Sequence, residues 1–289
     1  MTQTFIVVIC ILVICIVTAL AIRSVMRRRA LMAADSRNKL ATFLVMREYA
    51  YADAGLDKLF ASMETLDIPM KGAIAAVRSG DFDKAEKLLD EAEGERDVLS
   101  YLVEACIRRE KGDDQGARAA ARVILKPDEE SRARMAAWTV LREFGDKPGE
   151  TEANQVLGVV AEFLIGRNAV LISGYSDGDA RLLTSSGFGM VGMMQGHPEI
   201  AEAAKALVKS AEPLVGKIPL STGRPLPQPG EFRIAILTPS GLRATEAAIE
   251  DAASPENMLY SVWTATQNLL TSFRIVGQGM GVGVDESPE

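Results

Sequence analysis

Near its start the chain shows no amphipathic period at all. From Phe5 to Ile22 run 18 residues (FIVVICILVICIVTALAI) whose only polar member is Thr18. As a helix they cover about 27 Å, close to the hydrocarbon thickness of a bilayer. A strand of that length is excluded, and lipid selects a helix because every backbone group must then be bonded within the segment. No basic residue precedes the run, whereas Arg23, Arg27, Arg28 and Arg29 follow it. The positive-inside rule therefore predicts a single-pass anchor over residues 1–30, with the rest of the chain in the cytoplasm. The Ala19-Leu20-Ala21 triplet would suit cleavage of a signal peptide, but the charged leading region of such a peptide is missing.

Beyond the anchor the apolar positions fall at helical spacing. Leu40, Phe43 and Leu44, then Leu56, Leu59 and Phe60, with Gly55 as a break, predict a juxtamembrane helical segment over 31–68. From Pro69 a repeat appears: Gly80-Asp81-Phe82 with Ala85, Gly112-Asp113-Asp114 with Ala117, and Gly145-Asp146, spaced by 32 and 33 residues. Each pair follows a helical stretch (74–78, 98–109, 133–144), and the first two open another (83–92, 115–125). Glycine suits the left-handed position that ends one helix, and aspartate accepts the free amides that begin the next. Residues 69–149 thus read as stacked helix hairpins.

The segment SGDFDKAEKLLDEA, residues 79–92, resembles a unit of the tetratricopeptide repeat family, in which about 34 residues pair two antiparallel helices. The first-helix Trp and Leu-Gly signature is not evident, and Pro148 and Gly149 weaken the third unit. The resemblance implies a surface for binding other proteins and no chemistry.

After Gly149 the pattern changes. Val156, Val159, Val160, Phe163 and Leu164 fall on one helical face and predict a helix over 150–166. Short apolar runs at 169–173 and 181–185, joined by the turn formers 174–179, predict a hairpin. His197-Pro198-Glu199 opens a helix to about Val215. A proline-rich connection (217–230) leads to a second hairpin, 232–238 with 242–249, and a last helix spans 255 to about 275. Residues 150–276 are therefore predicted as an α+β module, an antiparallel sheet with packed helices. In its order of elements the module resembles the roadblock/longin-type fold, with GAF-like and PAS-like folds as alternatives. That resemblance implies a homo-dimer or a protein partner such as a small GTPase. The glycine-rich and acidic residues 277–289 are expected to be a flexible tail.

Composition narrows the function. The 289 residues hold 32 basic and 39 acidic side chains, a net charge of −7, so the basic footprint of a nucleic-acid binder is missing and no nucleic-acid partner is expected. One histidine and three cysteines, two of them (Cys10 and Cys15) inside the anchor, provide neither a four-ligand zinc site nor a disulfide framework. Gly187, Gly189 and Gly192 formally fit a dinucleotide fingerprint, but Gly196 and Pro198 delay the helix the motif requires, so a flexible loop is expected. Met190, Met193 and Met194 suit core filling. His197 has no nucleophile tied to it by spacing. Asp177 and Asp179 could face a cation but are better explained as turn formers, and Cys106 as a buried thiol. No catalytic, cofactor-binding or metal-binding residue is assigned, and an enzyme is not expected.

These features together predict a membrane-anchored cytoplasmic adaptor or scaffold, attached to the lipid bilayer through residues 5–22 and binding other proteins through its hairpins and its α+β module. The alternative is a membrane-bound sensor or regulator holding a small ligand in that module.

Overall fold

The run Gly158-Val-Val-Ala-Glu-Phe-Leu-Ile165 is a strand, and it lies inside an antiparallel sheet. The fold was obtained as a computed structural model, which describes residues 35–53, 55–63, 70–92, 96–191 and 196–279. Among them the sheet has strands β1 (Gly158–Ile165), β2 (Asn168–Tyr175), β3 (Ala180–Thr184), β4 (Gly189–Val191), β5 (Glu231–Thr238) and β6 (Gly241–Ala248). They lie in the order β4-β3-β2-β1-β5-β6. The class is α+β, as expected.

The expected helix over 150–166 is corrected by this arrangement. Only Glu150–Ala153 is helical (α8), and β1 follows. Because β1 pairs β2 on one side and β5 on the other, and helices cover both faces of the sheet, its apolar residues form a continuous run that also fits a helical period. Val159 and Phe163 enter the core on one face, and Val160 lies in the core on the other. The expected loop at 187–192 is also corrected in part, since Gly189–Val191 pair with β3 as β4 and Met190 is buried. Residues 192–195, with Met193 and Met194, lie outside the described residues.

Both hairpins form as expected. The 174–179 turn joins β2 to β3, and Pro239-Ser240 joins β5 to β6. In the proline-rich connection Leu220 makes one bridge to Arg243. Helix α9 (Pro198–Ala211) and helix α11 (Tyr260–Gly279) cover one face of the sheet, around Ile172, Leu182, Phe232, Ile234, Leu207, Leu269 and Phe273. The last helix starts later than expected. Asn257 Oδ1 accepts the Leu259 amide at 2.9 Å, a local bond that holds the preceding residues in turns, after the short α10 (Ile249–Ala252). Gly174 permits a close approach on this face: a Cβ there would lie 3.0 Å from Ala204 Cα on α9.

The other face is covered from far away in sequence. Helix α1, residues 35–51, places Phe43, Ala50 and Tyr51 against Leu157, Val160, Leu171, Leu183, Ala235 and Leu237. The first part of the segment expected to stand apart over 31–68 is thus a layer of the α+β module. Gly55, at φ 84°, separates α1 from α2 (Leu56–Met63).

The repeat region forms hairpins: α3 (Lys71–Arg78) with α4 (Phe82–Asp90), then α5 (Val98–Glu110) with α6 (Asp114–Val123). Gly80, Gly112 and Gly145 have φ of 77°, 79° and 80°, the left-handed value a helix-ending glycine adopts. Asp81 accepts the Lys84 amide and Asp113 the Gly116 amide. After α7 (Ser131–Glu143) the third hairpin stops at the four-residue α8, as Pro148 and Gly149 anticipated. The hairpins share one core that includes Ile74, Leu102, Cys106, Ile124 and Leu141.

No helix among the described residues is long and apolar enough to cross a membrane. The anchor expected at Phe5–Ile22 lies outside the described residues; of the flexible tail expected over 277–289, residues 277–279 are instead the last turn of α11 and the rest lie outside the described residues.

Candidate functional site

Helix α7 belongs to both halves of the molecule. Ala137, Trp138 and Leu141 pack in the hairpin core, while Met135 enters the core beneath the sheet. Polar contacts fix this junction. The Ser131 amide donates to Asp177 Oδ2 at 2.7 Å, and the Ser131 and Ser176 hydroxyls are hydrogen-bonded at 2.8 Å. Asp179 accepts Arg132 at 3.3 Å and Arg181 at 3.2 Å. Arg142 donates to the Pro239 carbonyl at 2.7 Å and pairs with Asp53, which also accepts the Thr139 hydroxyl at 2.8 Å. The Ser240 hydroxyl donates to the Ala153 carbonyl.

These contacts explain two of the residues that the sequence singles out. Asp177 and Asp179 do more than shape a turn. Asp177 satisfies the first amide of α7, where a carboxylate also meets the favourable end of the helix dipole. Asp179 neutralises two arginines. Tyr49 lies between those arginines, with its ring centre 4.6 Å from Arg132 and 4.7 Å from Arg181. Burial pushes the Tyr49 hydroxyl up, yet the two guanidiniums outweigh it and leave its pKa below the usual phenol value.

A second buried cluster lies between α1 and the sheet. Glu162, in the middle of β1, accepts Arg47 through both oxygens, at 2.5 and 2.9 Å, and the Tyr51 hydroxyl at 2.8 Å. Arg47 also donates to the Arg224 carbonyl at 2.9 Å. Arg224 pairs with Glu48 at 3.0 Å and stacks 5.0 Å from the Tyr51 ring centre. Burial pushes the Tyr51 phenol up. Both oxygens of Glu162 are occupied by donors, so the cluster holds α1 against the sheet. Sequence reasoning passed over it. The available signal was a lone carboxylate inside the apolar run Val159–Ile165.

The other sequence candidates remain separate from one another. His197 stands at the start of α9, its Nδ1 3.3 Å from Glu199. Cys106 is buried within the hairpins, and burial pushes its thiol up to about 11 against the opposing effect of Arg109. Among the described residues no group of three or more His, Cys, Asp or Glu is placed to hold a metal ion.

One cleft lies at the end of the hairpin stack. Helix α8 is a single turn, and the residues that lead into it run beside α6 and α7. The cleft has a volume of about 410 Å³. Trp138 and Leu141 of α7 and Leu125 after α6 form its apolar part, and Arg122, Asp146 and Lys147 are among its polar walls. The buried indole N–H of Trp138 has no acceptor among the described residues. Arg122 reaches Asp146 at 2.7 Å on the surface. Compared with protein families, with curated proteins and with solved structures, the chain matches none.

Proposed function

We propose that this chain is a single-pass, membrane-anchored cytoplasmic scaffold that binds other proteins through tetratricopeptide-like helix hairpins. The observation that supports the reading is the cleft beside Trp138 and Leu125 at the end of the hairpin stack. A cleft with an apolar floor and charged walls suits the side chains of a protein partner. The anchor rests on the uninterrupted apolar run Phe5–Ile22 and the arginines behind it. The α+β module is the rigid base: its sheet is filled by side chains on both faces, and it fixes α7 through the Asp177 and Asp179 contacts. The roadblock/longin-like reading of the module presupposed a leading helix over 150–166, where β1 stands, so we propose the module only as an α+β base.

Affinity purification from detergent tests this reading. Removing residues 69–149 would strip Met135 and the junction contacts from the module, so charge reversal at the cleft rim is the better probe. Arg122→Glu with Lys147→Glu should leave the chain folded and lose the proteins recovered with the unaltered chain. Recovery of the same proteins by both would contradict it.

A further inference from the structure

Helix α1 runs antiparallel to β1. Ala50 accepts the hydroxyl of Tyr175, which pairs Gly158 at the start of β1. At the other end of α1, Lys39 packs beside Gly187. That turn adjoins the end of β1, since Ser185 bonds Ala169 in both directions and Asn168 pairs Ile165. Residues 35–42 are all exposed, so the first two turns of α1 are uncovered at this end. The hairpins dock at the opposite end, against Asp177, Pro239 and Ser240.

Three elements leave large apolar side chains uncovered at the α1 N-terminal end. Leu40 and Leu44 of α1 are 41% and 39% exposed, and Ile165 at the β1–β2 turn is 52% exposed. Met258, two residues before α11, and Tyr260, its first residue, are 46% and 37% exposed, and Trp263 of α11 lies 4.9 Å from Phe232, the partner of Phe163 on β1. Apolar side chains exposed on separate elements at one end of a sheet are available to a single flat cover. We propose that this rim rests on the bilayer surface, with Leu40, Leu44, Ile165, Met258 and Tyr260 entering the headgroup region. The inference rests on the anchor reading. Only twelve residues (23–34) separate the apolar run from α1, and they span no more than roughly 45 Å. The rim therefore borders the chain's own route to lipid, where a bilayer is always at high local concentration. Side chains of this kind settle about 5–10 Å into the interface, with tyrosine favoured at headgroup level. Lys39 and Arg167 flank the rim on one side, while Glu231, Glu250 and Glu256 lie on the other, so apolar contact rather than net charge supplies the attraction. Facing the lipid with this end directs the hairpins and their open cleft away from the membrane.

The test uses the full chain in phosphatidylcholine vesicles, with its native cysteines replaced and one environment-sensitive fluorophore attached at Ile165→Cys, Met258→Cys or Ser240→Cys. A further sample keeps Cys15 as its only labelled site. Headgroup-level nitroxide lipids should quench the first two labels severalfold more than the Ser240→Cys label. If Ile165→Cys and Met258→Cys are quenched no more than Ser240→Cys while acyl-chain nitroxides quench Cys15, the rim does not touch lipid and the anchor stands. If Cys15 also escapes quenching, the anchor reading fails and the rim falls with it.

Discussion

Arg47 and Glu162, 115 positions apart, meet in a bidentate ion pair between α1 and the central strand. Both side chains are almost wholly buried. The pair joins the segment nearest the apolar N-terminal run to the middle of the sheet, so the base of the molecule and its N-terminal approach form one body. A buried pair contributes little over an apolar replacement of equal shape, but it is costly to break.

Arg47→Ala alone is therefore expected to destabilise the chain by about 3–5 kcal/mol, because Glu162 is left charged and unpaired. Arg47→Met with Glu162→Leu should recover much of that loss. Denaturant unfolding in detergent measures both, and equal losses in the two variants would contradict the account.

The two glycine types separate by mechanism. Gly145→Ala places a Cβ in open space at φ 80°, so only the left-handed backbone is penalised, by about 1–2 kcal/mol. Gly174→Ala instead drives a Cβ against the backbone of α9 and should cost about 1–3 kcal/mol, with altered packing between α9 and β2. Thermal melts distinguish stability, and exchange of α9 amides should rise only in Gly174→Ala.

Asp113 accepts the Gly116 amide and pairs with Arg108, and both hold its carboxyl below the usual carboxylate range. A depressed folded-state pKa gives stability that is present above the unfolded value and is lost as pH falls through the folded one. Protection of the Gly116 amide from hydrogen exchange should therefore drop in acid. In Asp113→Asn that pH dependence should disappear.

The Cys106 thiol, pushed up to about 11 by burial, should resist alkylation at mildly alkaline pH while the chain is folded and react at once when it is unfolded. Peptide mapping separates it from Cys10 and Cys15. Here the raised pKa means that the contribution to stability is present below the unfolded thiol value and fades as pH climbs through about 11.

Local signals carried most of what could be read in the sequence. The Gly80, Gly112 and Gly145 turns, the 174–179 and 239–240 turns, and the Pro198 helix start all depend on backbone preferences of a few neighbouring residues. Long-range features were invisible. Val159 and Val160 point into different cores, and no local pattern tells a strand buried on both faces from a helix, so β1 was mistaken for one. Asp177 and Asp179 looked like turn formers because their partners, Ser131 and Arg132, are some 46 residues away. The cleft beside Trp138 was legible only as the proline and glycine that shorten α8.

Protease added to intact cells probes the central claim most directly. The account predicts that the body survives such treatment and is digested only after the membrane is opened, with the chain retained in the membrane fraction throughout. Digestion of the body on intact cells, or a mature chain beginning beyond Ala21, would contradict it.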